Sequence, residues 1–503
     1  MKKILSVEQI RSADEYTIKN EPISSINLME RASVSCVDWL KSNISNKEYV
    51  VFAGPGNNGG DGLAIARLLV ERGCSCKCYY LESKKYSHDF NINLKRCQDN
   101  DIQCDLFNLD SLNRIKINKN EVIIDALFGS GLNRPLNVDY KTLFDVFQKD
   151  GQRIISIDTP SGVNCDLSNV SIGPCVKADF TLTFQTPKLS FLLPTTEKYC
   201  GKVVVLDIGL HKSYMDSVRT QACQLDKPYI SSLIKKRKRF SHKGTYGHAL
   251  LYAGMKGKSG AAILSAKACL RSGVGLLTVN TPNFCGDHLQ IQVWEAMVEY
   301  NDGEFCLESM SNVKSTSIGI GPGIGKNEVT LKLLEKVFST HKEPMVIDAD
   351  ALNLISENHH LKDKIPNGSI LTPHPKEFKR LVGKWDNDLE KLNKLKSFSK
   401  VYQCYVVFKD SISIVCTPEG ELYFNNTGNS GMATGGSGDV LTGILLGLLS
   451  QSYTPLNTCL LGVYLHGLAG DIASKSLSEE SLIASDIIEY LPQAFKDIKK
   501  AMH

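Results

Sequence analysis

Short hydrophobic runs alternate with segments of helical spacing along both halves of the chain. In the first half they predict six strands, Tyr49–Ala53, Cys76–Leu81, Val122–Leu127, Arg153–Ile157, Phe180–Phe184 and Val203–Ile208. Several of these runs show no polar alternation, which is typical of strands buried on both faces of a parallel sheet. With a helix predicted over Leu63–Arg72, the pattern indicates a doubly wound α/β domain.

The alternation lapses after Gly209 and then resumes. We therefore expect two domains, residues 1–220 and 221–503, with a polar stretch over residues 211–240 that is irregular at its end, where it contains the basic run Lys235–Arg239. Short charge runs usually face water, so a solvated linker is the favoured interpretation of this run. A localisation signal and a phosphate-binding patch remain open.

The second half repeats the strand-and-helix pattern and predicts a second doubly wound α/β domain. Its predicted strands are His248–Ala253, Gly275–Thr281, Ser317–Ile320, Pro344–Asp348, Ser369–Leu371 and Tyr405–Lys409. Helices are predicted over Ser259–Ser272, Asp439–Ser450 and Leu456–Leu477, and Thr417–Gly420 has the composition of a hairpin turn.

Composition excludes several classes of protein. The 503 residues are 42% hydrophobic and 22% charged, as in ordinary globular proteins. Because 58 Lys and Arg nearly balance 54 Asp and Glu, we expect neither nucleic acid nor a membrane as a partner. Ser6 and Gln9 have the spacing of a helix capping box where a signal peptide would carry its apolar segment. We therefore expect a cytoplasmic protein with reduced thiols, and a homo-oligomer.

Cys74, Cys76 and Cys78 alternate along one predicted strand and so share one of its faces. Zinc sites usually pair cysteines two residues apart and need a fourth ligand nearby. We favour buried structural cysteines, with adventitious metal or redox chemistry as the alternative.

A glycine-rich segment, residues 54–62, follows the first of these strands and opens a helix. Its backbone N–H groups can approach an anion closely, so it predicts a diphosphate cradle, with a tight turn without ligand as the alternative. It matches neither the dinucleotide fingerprint nor a Walker A loop. Asp125 and Asp158 end two further strands at the edge where open α/β sheets bind ligands, although such residues are often only caps.

Three segments, Asn57–Gly62, Asp125–Gly129 and Ile157–Gly162, resemble in order the motifs of the NAD(P)H-hydrate epimerase domain, across about residues 1–215. The resemblance implies a potassium ion held by Asn58, Asp125 and Ser161, with Asp158 as the acid or base and Lys188 supporting its charge. It implies substrate contacts from two loops and one carboxylate, namely Asn57, Asn58, Gly59, Gly60, Asp61, Gly129, Ser130, Gly131, Leu132, Asn133, Arg134, Pro135 and Asp158.

The glycine-rich segment 428–443 opens directly into a helix near Asp439. Its N–H groups can hold a transferring phosphoryl group while the carboxylate at the helix N-terminus accepts a hydroxyl proton, which predicts phosphorylation of an alcohol. A simple N-cap after a flexible loop is the alternative. Asp348 and Asp350 end another strand and offer carboxylates for water-bridged magnesium.

These loops resemble those of the ADP-dependent NAD(P)H-hydrate dehydratase, a ribokinase-like fold, across about residues 235–500. The matching segments are Ser241–Gly244, Gly321–Gly325, Asp348–Leu352, Thr372–Pro375 and Gly435–Asp439. The resemblance implies a catalytic Asp439 and substrate contacts at Ala261, Gly323, His374 and Asp439. It implies nucleotide contacts, with Mg²⁺ accompanying ADP, at Lys409, Asp410, Ser411, Ile412, Ser413 and Gly438. Asp410 stands where the family usually has glycine, and Ser430 where it usually has proline.

A Rossmann-like epimerase domain joined to a ribokinase-like dehydratase domain implies repair of hydrated NADH and NADPH. The first domain would interconvert the R and S hydrates, and the second would dehydrate the S form while ADP becomes AMP and phosphate. NADHX, NADPHX and ADP would then be the small-molecule partners. Two alternatives remain open: a ribokinase-like small-molecule kinase with an appended ligand-binding domain, and a non-enzymatic sensing or scaffold role for the N-terminal half.

Overall fold

A mostly parallel β-sheet organises each half of the chain. The computed structural model describes residues 1–149, 151–166 and 173–500, which divide into two compact units. We call residues 2–220, with the short segment 387–389, the N-terminal unit, and residues 221–386 with those from 390 onward the C-terminal unit.

The sheet of the N-terminal unit has seven parallel strands. In spatial order they are Cys104–Phe107, Ser75–Leu81, Glu48–Ala53, Val122–Ala126, Ile154–Ile157, Phe180–Phe184 and Lys202–Leu206. The helices around this chain segment are Val7–Asn20, Ser25–Asn43, Asn57–Glu71, His88–Asp99, Tyr140–Gln148, Pro194–Cys200 and Lys212–Ser217. The strand order reverses between Glu48–Ala53 and Val122–Ala126, which is the switch point where doubly wound sheets bind ligands.

Both faces of this sheet are covered, as its uninterrupted hydrophobic strands predicted. Val51 and Ile124 belong to one buried cluster, and their neighbours Val50 and Ile123 belong to another. Successive side chains of a strand point to opposite faces, so strands that are covered on both sides are apolar at most positions. The prediction of a doubly wound α/β fold is confirmed for this unit.

The helix after the first glycine-rich segment begins at Asn57, six residues before the predicted start at Leu63. Glycines disfavour a helix, which is why the sequence indicated a loop here. Tight packing explains them: a Cβ on Gly59 would lie 1.7 Å from the carbonyl oxygen of Gly54. The helix can therefore approach the strand end only with glycine at this position.

The C-terminal unit has a parallel sheet extended by an antiparallel hairpin. In spatial order its strands are Ala222–Gln224, Leu422–Asn425, Ser413–Cys416, Tyr405–Phe408, Ile370–Leu371, Val346–Ile347, Ser317–Ile320, His248–Tyr252, Leu276–Pro282 and Met297–Asn301. Only Ser413–Cys416 runs antiparallel to both of its neighbours. The predicted turn at Thr417–Gly420 is confirmed, because the Gly420 N–H donates to the Thr417 carbonyl at 2.9 Å.

Helices accompany these strands through the second half of the chain. They are Lys227–Leu233, Ser259–Arg271, Asn283–Gln292, Glu328–Thr340, Ala349–Glu357, Pro375–Val382, Asp388–Val401, Ser437–Ser450, Pro455–Leu477 and Ala484–Lys500. A mainly parallel sheet alternating with helices confirms the predicted α/β class.

The stretch 211–240 is irregular at its end, residues 234–240, as predicted, but regular structure precedes this end. It holds the helices Lys212–Ser217 and Lys227–Leu233 and the strand Ala222–Gln224. That strand pairs with Leu422–Asn425, which is remote in sequence, so no local pattern reveals it. The second helix begins with an Asp226 side chain that accepts the Tyr229 N–H at 3.0 Å.

Several smaller features complete the comparison with the sequence. The capping box of Ser6 and Gln9 is confirmed. No disulfide bond joins any of the sixteen cysteines, and within the described residues no three His, Cys, Asp or Glu side chains are arranged to hold a metal ion. No helix of these residues combines the length and apolar character needed to cross a membrane.

Two candidate active sites

A cavity of about 690 Å³ opens at the switch point of the N-terminal sheet. Its walls include the beginning of helix Asn57–Glu71, the loop that follows strand Val122–Ala126, and the helix Val7–Asn20. Nine of the predicted substrate residues line it: Asn57, Asn58, Asp61, Gly129, Ser130, Gly131, Leu132, Asn133 and Asp158. The predicted contacts Gly59, Gly60, Arg134 and Pro135 are not in its lining.

An ion pair between Asp158 and Lys188 lies at the floor of this cavity. The Lys188 amine is 3.4 Å from the carboxylate, and the side chain of Lys188 is only 1% exposed. The same amine donates to the Phe184 carbonyl at 3.0 Å, and the Ser130 N–H donates to Asp158 at 2.7 Å. Burial alone favours the neutral acid, but Lys188 and Ser130 hold the pKa of Asp158 below its usual value.

The backbone of Asp158 is also unusual, with a φ of 61°. A residue other than glycine in the left-handed region costs about 1–3 kcal/mol and persists mainly at functional sites. Close packing fixes the position further, because a Cβ on Gly129 would lie 2.9 Å from the Asp158 carboxylate. The carboxylate is therefore held in one place by backbone and neighbours together.

Two further carboxyl groups in the cavity have the opposite protonation preference. Burial, together with the negative charge of Asp158, raises the pKa of Asp14 to about 6. The same two causes raise the pKa of Asp61 well above its usual value. Sequence reasoning placed Asp61 in the site but missed Asp14, whose helix Val7–Asn20 carries no motif.

Asp125 and Ser161, two of the three predicted potassium ligands, are in direct contact. The Ser161 hydroxyl and N–H donate to the two Asp125 oxygens at 2.5 and 2.9 Å. The third predicted ligand, Asn58, places its amide nitrogen 3.2 Å from the Ile157 carbonyl oxygen. Burial raises the pKa of Asp125, and only neutral hydrogen-bond donors offset this effect. A buried carboxylate among hard oxygen atoms, without a cationic side chain to balance it, is a fitting environment for an alkali cation.

In the C-terminal unit, the buried Asp348 and the half-buried Lys409 form an ion pair at the carboxyl ends of strands Val346–Ile347 and Tyr405–Phe408, which have Ile370–Leu371 between them. The Lys409 amine is 2.8 Å from one carboxylate oxygen, and the Thr442 hydroxyl donates to the other at 2.6 Å. Burial opposes the charge of Lys409, yet Asp348 and Glu377 raise its pKa. Gly438 lies directly over this pair, because a Cβ there would be 3.1 Å from the amine.

Asp439 follows Gly438 in the first turn of helix Ser437–Ser450. Burial and the charge of Asp348 raise its pKa to about 6, although Lys409 acts in the opposite direction. At neutral pH this carboxyl group is therefore mostly ionised but much more basic than a surface aspartate. A general base works best with a pKa near the working pH.

Asp350 lies two residues after Asp348 and forms an ion pair with a different lysine. Its carboxylate is 2.9 Å from the Lys258 amine and accepts the Gly325 N–H at 2.9 Å. Asp348 and Asp350 are thus each neutralised by a lysine, so they do not form an open carboxylate pair for a metal. This outcome does not favour the magnesium role that the sequence suggested for the two residues.

Ala261 and Gly323, predicted substrate contacts, lie side by side. A Cβ on Gly323 would be 3.2 Å from the Ala261 Cβ, and the backbone of Gly323 is left-handed with a φ of 65°. The loop Gly321–Gly325 therefore packs against the first turn of helix Ser259–Arg271. The left-handed φ and this tight contact together favour glycine at position 323.

His374 caps the helix Pro375–Val382. Its Nδ1 accepts the N–H groups of Lys376 and Glu377 at 3.1 and 3.3 Å, which leaves the proton on Nε2. Burial and the charge of Lys409 lower the pKa of His374. The imidazole is therefore neutral at pH 7 and has one N–H for donation. The role of a helix cap was not foreseen, since the sequence suggested only a histidine at the site edge.

The predicted nucleotide segment divides into two parts. Lys409 contacts Asp348, as described, and lies beneath Gly438. Asp410, Ser411 and Ile412 form the turn between strands Tyr405–Phe408 and Ser413–Cys416. Asp410 and Ser411 are exposed, and the contact of this turn with a nucleotide stays a prediction.

Replacing Lys409 with methionine is expected to lower the free energy of unfolding by about 3 kcal/mol, because the buried Asp348 would lose its cation. Lys258→Met is the matched control: Lys258 is 48% exposed, so its loss is expected to cost less than about 1 kcal/mol. Urea unfolding followed by circular dichroism measures both. Equal losses would contradict the argument, and adding Asp348→Asn to Lys409→Met is expected to restore part of the stability.

Two family profiles match the chain. One, described as NAD(P)H-hydrate dehydratase, matches residues 249–493, and the other, described as the N-terminus of YjeF-related proteins, matches residues 25–190. The first contains the pair formed by Asp348 and Lys409 together with Asp439, and the second contains Asp125, Asp158 and most of the cavity loops. The two candidate sites therefore fall in two separate profiles.

Relatives with both parts are also found. The chain is 34% identical over 493 residues to the bifunctional NAD(P)H-hydrate repair enzyme Nnr of Coxiella burnetii, covering 96% of this chain and 97% of the relative. It is 30% identical over 516 residues to the enzyme of the same name from Moorella thermoacetica, covering 99% of this chain and 97% of the relative. A solved structure, the ADP/ATP-dependent NAD(P)H-hydrate dehydratase from Bacillus subtilis co-crystallised with ATP and Mg²⁺, is 31% identical. It covers 54% of this chain and 97% of its own, with a TM-score of 0.49.

Proposed function

The chain belongs to the family of bifunctional NAD(P)H-hydrate repair enzymes, and from this we propose how its two units divide the work. The N-terminal unit epimerises hydrated NADH and NADPH, and the C-terminal unit dehydrates the S epimer with ADP as phosphoryl donor. The observation that carries the proposal is Asp439, a carboxylate of raised pKa in the first turn of a helix beside the half-buried Lys409.

Epimerisation needs one group that donates a proton and another that accepts one. The substrate carries a hydroxyl on the ring carbon next to the nitrogen; once protonated, it leaves as water, and the ring nitrogen stabilises the cation. Asp61, with its raised pKa, is suited to supply that proton, and the ionised Asp158 is suited to take one from the water that returns to the other face. Separated pKa values among neighbouring carboxyl groups are the usual basis for such a division of roles.

Potassium would be held by Asp125, Ser161 and Asn58 next to these carboxyl groups. When bound, the ion would supply positive charge that orients the diphosphate of the substrate. Its proposed ligands are all oxygen atoms, and the Asn58 oxygen accepts the N–H of Gly129, which lines the cavity, at 3.3 Å. Asp125 has no other cationic partner among the groups that set its pKa.

Replacing Asp125 with asparagine is expected to raise the potassium concentration needed for half-maximal epimerase activity by at least about tenfold, because the only charged ligand is lost. A second readout is thermal stability, since an ion that binds only the folded chain raises the melting temperature. We expect potassium to stabilise the wild type and the surface control Asp145→Asn, but not Asp125→Asn. The same response in all three proteins would exclude this site.

Dehydration uses the carboxylate of Asp439 in the C-terminal unit. Asp439 removes the proton of the substrate hydroxyl, and the oxygen attacks the terminal phosphorus of ADP, which releases AMP. The phosphate then leaves the ring carbon with the bonding electrons, the ring nitrogen stabilises the cation, and loss of a proton from the neighbouring carbon restores the dihydronicotinamide. Lys409 is positioned to balance charge near this transfer.

Magnesium would accompany the nucleotide rather than bind to a protein cage. Asp348 and Asp350 are each paired with a lysine, and Mg²⁺ commonly keeps several waters and binds through substrate phosphates. No step of the mechanism above depends on a protein ligand to this ion. The choice of ADP over ATP belongs to the proposal.

The function is tested by incubating the protein with separated R and S hydrates of NADH. With ADP, we expect the S hydrate to regain the near-ultraviolet absorbance of the dihydronicotinamide at once and the R hydrate to do so after epimerisation. ATP in place of ADP measures the nucleotide preference. A stable phosphorylated product without recovered absorbance would instead indicate a small-molecule kinase.

A cytoplasmic location and a homo-oligomeric state are part of the same proposal. Sixteen cysteines without a disulfide bond suit a reducing compartment. Sedimentation of the purified chain measures the oligomeric state directly.

A further inference from the structure

A second cavity, of about 530 Å³, lies in the C-terminal unit and is strongly basic. Six of the side chains in its lining are cationic: Lys235, Lys236, Arg237, Lys238, Arg271 and Lys499. Its lining contains no aspartate or glutamate. The formal net charge of the whole chain is only +4, so this concentration of charge is a local feature.

This basic cavity lies at the sheet edge opposite the dehydratase site. Tyr246 and Gly273, which line it, precede the strands His248–Tyr252 and Leu276–Pro282, whereas the dehydratase residues follow strands of the same sheet. Ser452, also in the lining, follows the helix Ser437–Ser450, whose first turn contains Asp439. That helix has 14 residues, and at 1.5 Å per residue it separates the two places by about 20 Å.

Two of the six cations are used by the fold itself. The Lys235 amine donates to the Ser452 carbonyl at 2.7 Å and lies 4.4 Å from the centre of the Tyr453 ring. Arg237 donates to the Gly273 carbonyl, and its guanidinium lies 3.9 Å from the centre of the Tyr246 ring. These contacts fasten the basic run to the ends of two helices, so the run is not simply a solvated linker.

The other four cations have no such use. Lys236, Lys238, Arg271 and Lys499 are exposed and make no ion pair with a carboxylate among the described residues. Arg271 and Lys499 lie in the last turns of helices, where the dipole favours a positive charge. Lys236 and Lys238 lie in neither a helix nor a strand, so a helix dipole does not explain why they line the cavity.

We propose that this basic cavity binds a small ligand with a chain of two or three phosphates. Such a ligand would balance the four unpaired cations at once, whereas a single carboxylate would not. A concave volume of this size is in the usual range for small-molecule sites, about 300–1,000 Å³. The shared chemistry is the oligophosphate chain, which both nucleotides and inorganic polyphosphates carry.

The test is calorimetric titration of the full chain with inorganic tripolyphosphate and, separately, with ATP. The variant Lys236→Ser/Lys238→Ser/Lys499→Ser removes three unpaired cations. The control Lys314→Ser/Lys336→Ser/Lys384→Ser removes the same charge from exposed positions of the same unit outside the cavity. We expect the cavity variant, but not the control, to lose one equivalent of bound tripolyphosphate or at least about tenfold in affinity there.

Dehydratase activity serves as the folding check and is expected to be unchanged in both triple variants. If ATP titrates the same equivalent as tripolyphosphate, the ligand is a nucleotide; if only tripolyphosphate does, it is an inorganic chain. The proposal is overturned if the cavity variant binds like the wild type, or if the control weakens binding equally. Displacement of tripolyphosphate by a short single-stranded RNA at lower concentration would also overturn it and identify a nucleic-acid surface.

Discussion

Replacing Asp439 with asparagine is expected to lower dehydratase turnover by about 10³-fold, because the amide cannot take the proton from the substrate hydroxyl. The change is nearly isosteric, and the neighbouring pair of Asp348 and Lys409 stays in place. Recovery of dihydronicotinamide absorbance from the S hydrate with ADP measures the effect. The surface substitution Asp363→Asn in the same unit is the control and is expected to leave turnover unchanged.

The pH dependence distinguishes a base from a merely structural carboxylate. A base must be ionised, and the pKa of Asp439 is raised to about 6. We therefore expect kcat/KM to fall about tenfold per unit below pH 6 and to level off above it. In Lys409→Met the fall in kcat/KM is expected to begin at a higher pH, because Lys409 lowers the pKa of Asp439. Wild-type turnover in Asp439→Asn, or a flat wild-type profile from pH 5 to 8, would remove this residue from the mechanism.

Replacing Asp158 with asparagine is expected to slow epimerisation by about 10²–10⁴-fold while the dehydratase remains active. The amide cannot accept a proton, and it leaves the amine of Lys188, 1% exposed, without its charged partner. With a mixture of R and S hydrates and ADP, the wild type should consume both epimers. The variant should stop after a rapid phase whose amplitude equals the S fraction.

Two comparisons make this result specific. Asp145→Asn removes an exposed carboxylate from the same unit outside the cavity and should behave like the wild type. Melting temperature reports whether the uncompensated Lys188 destabilises the variant. If Asp158→Asn consumes both epimers at the wild-type rate, the N-terminal unit is better described as a binding module.

The fold could be predicted where the local sequence pattern determines the structure. Strands such as Val122–Ala126 are apolar at every position except Asp125 because both faces of their sheets are covered, and this signal is visible in the sequence. The start of helix Asn57–Glu71 was missed because glycine has a low helix propensity, whereas here Gly59 permits close packing. The edge strand Met297–Asn301 was also missed, since it is partly exposed and short.

The motifs of the candidate sites could be predicted from the sequence, but the charged groups that interact within each site could not. Asp158 and Asp439 both follow glycine-rich or strand-end patterns that the sequence displays. Other charged groups of the two sites do not: Asp14, whose pKa Asp158 raises, lies on a helix without a motif, and Lys409, which lowers the pKa of Asp439, meets Asp348 from a different strand. Such pairings depend on tertiary placement, which a single sequence does not reveal.

The helical start at Asn57 has a consequence for how the damaged cofactor is captured. In the first turn of a helix the leading N–H groups have no intrahelical acceptor, and here that turn borders the cavity. A pliant loop would lose conformational entropy when it closed on a diphosphate, whereas these amides are already pre-organised. If the substrate diphosphate binds there as proposed, the backbone need not be ordered first, and amide hydrogen exchange at Gly60, whose N–H donates to the Gly56 carbonyl at 3.2 Å, should already be slow before any ligand is added.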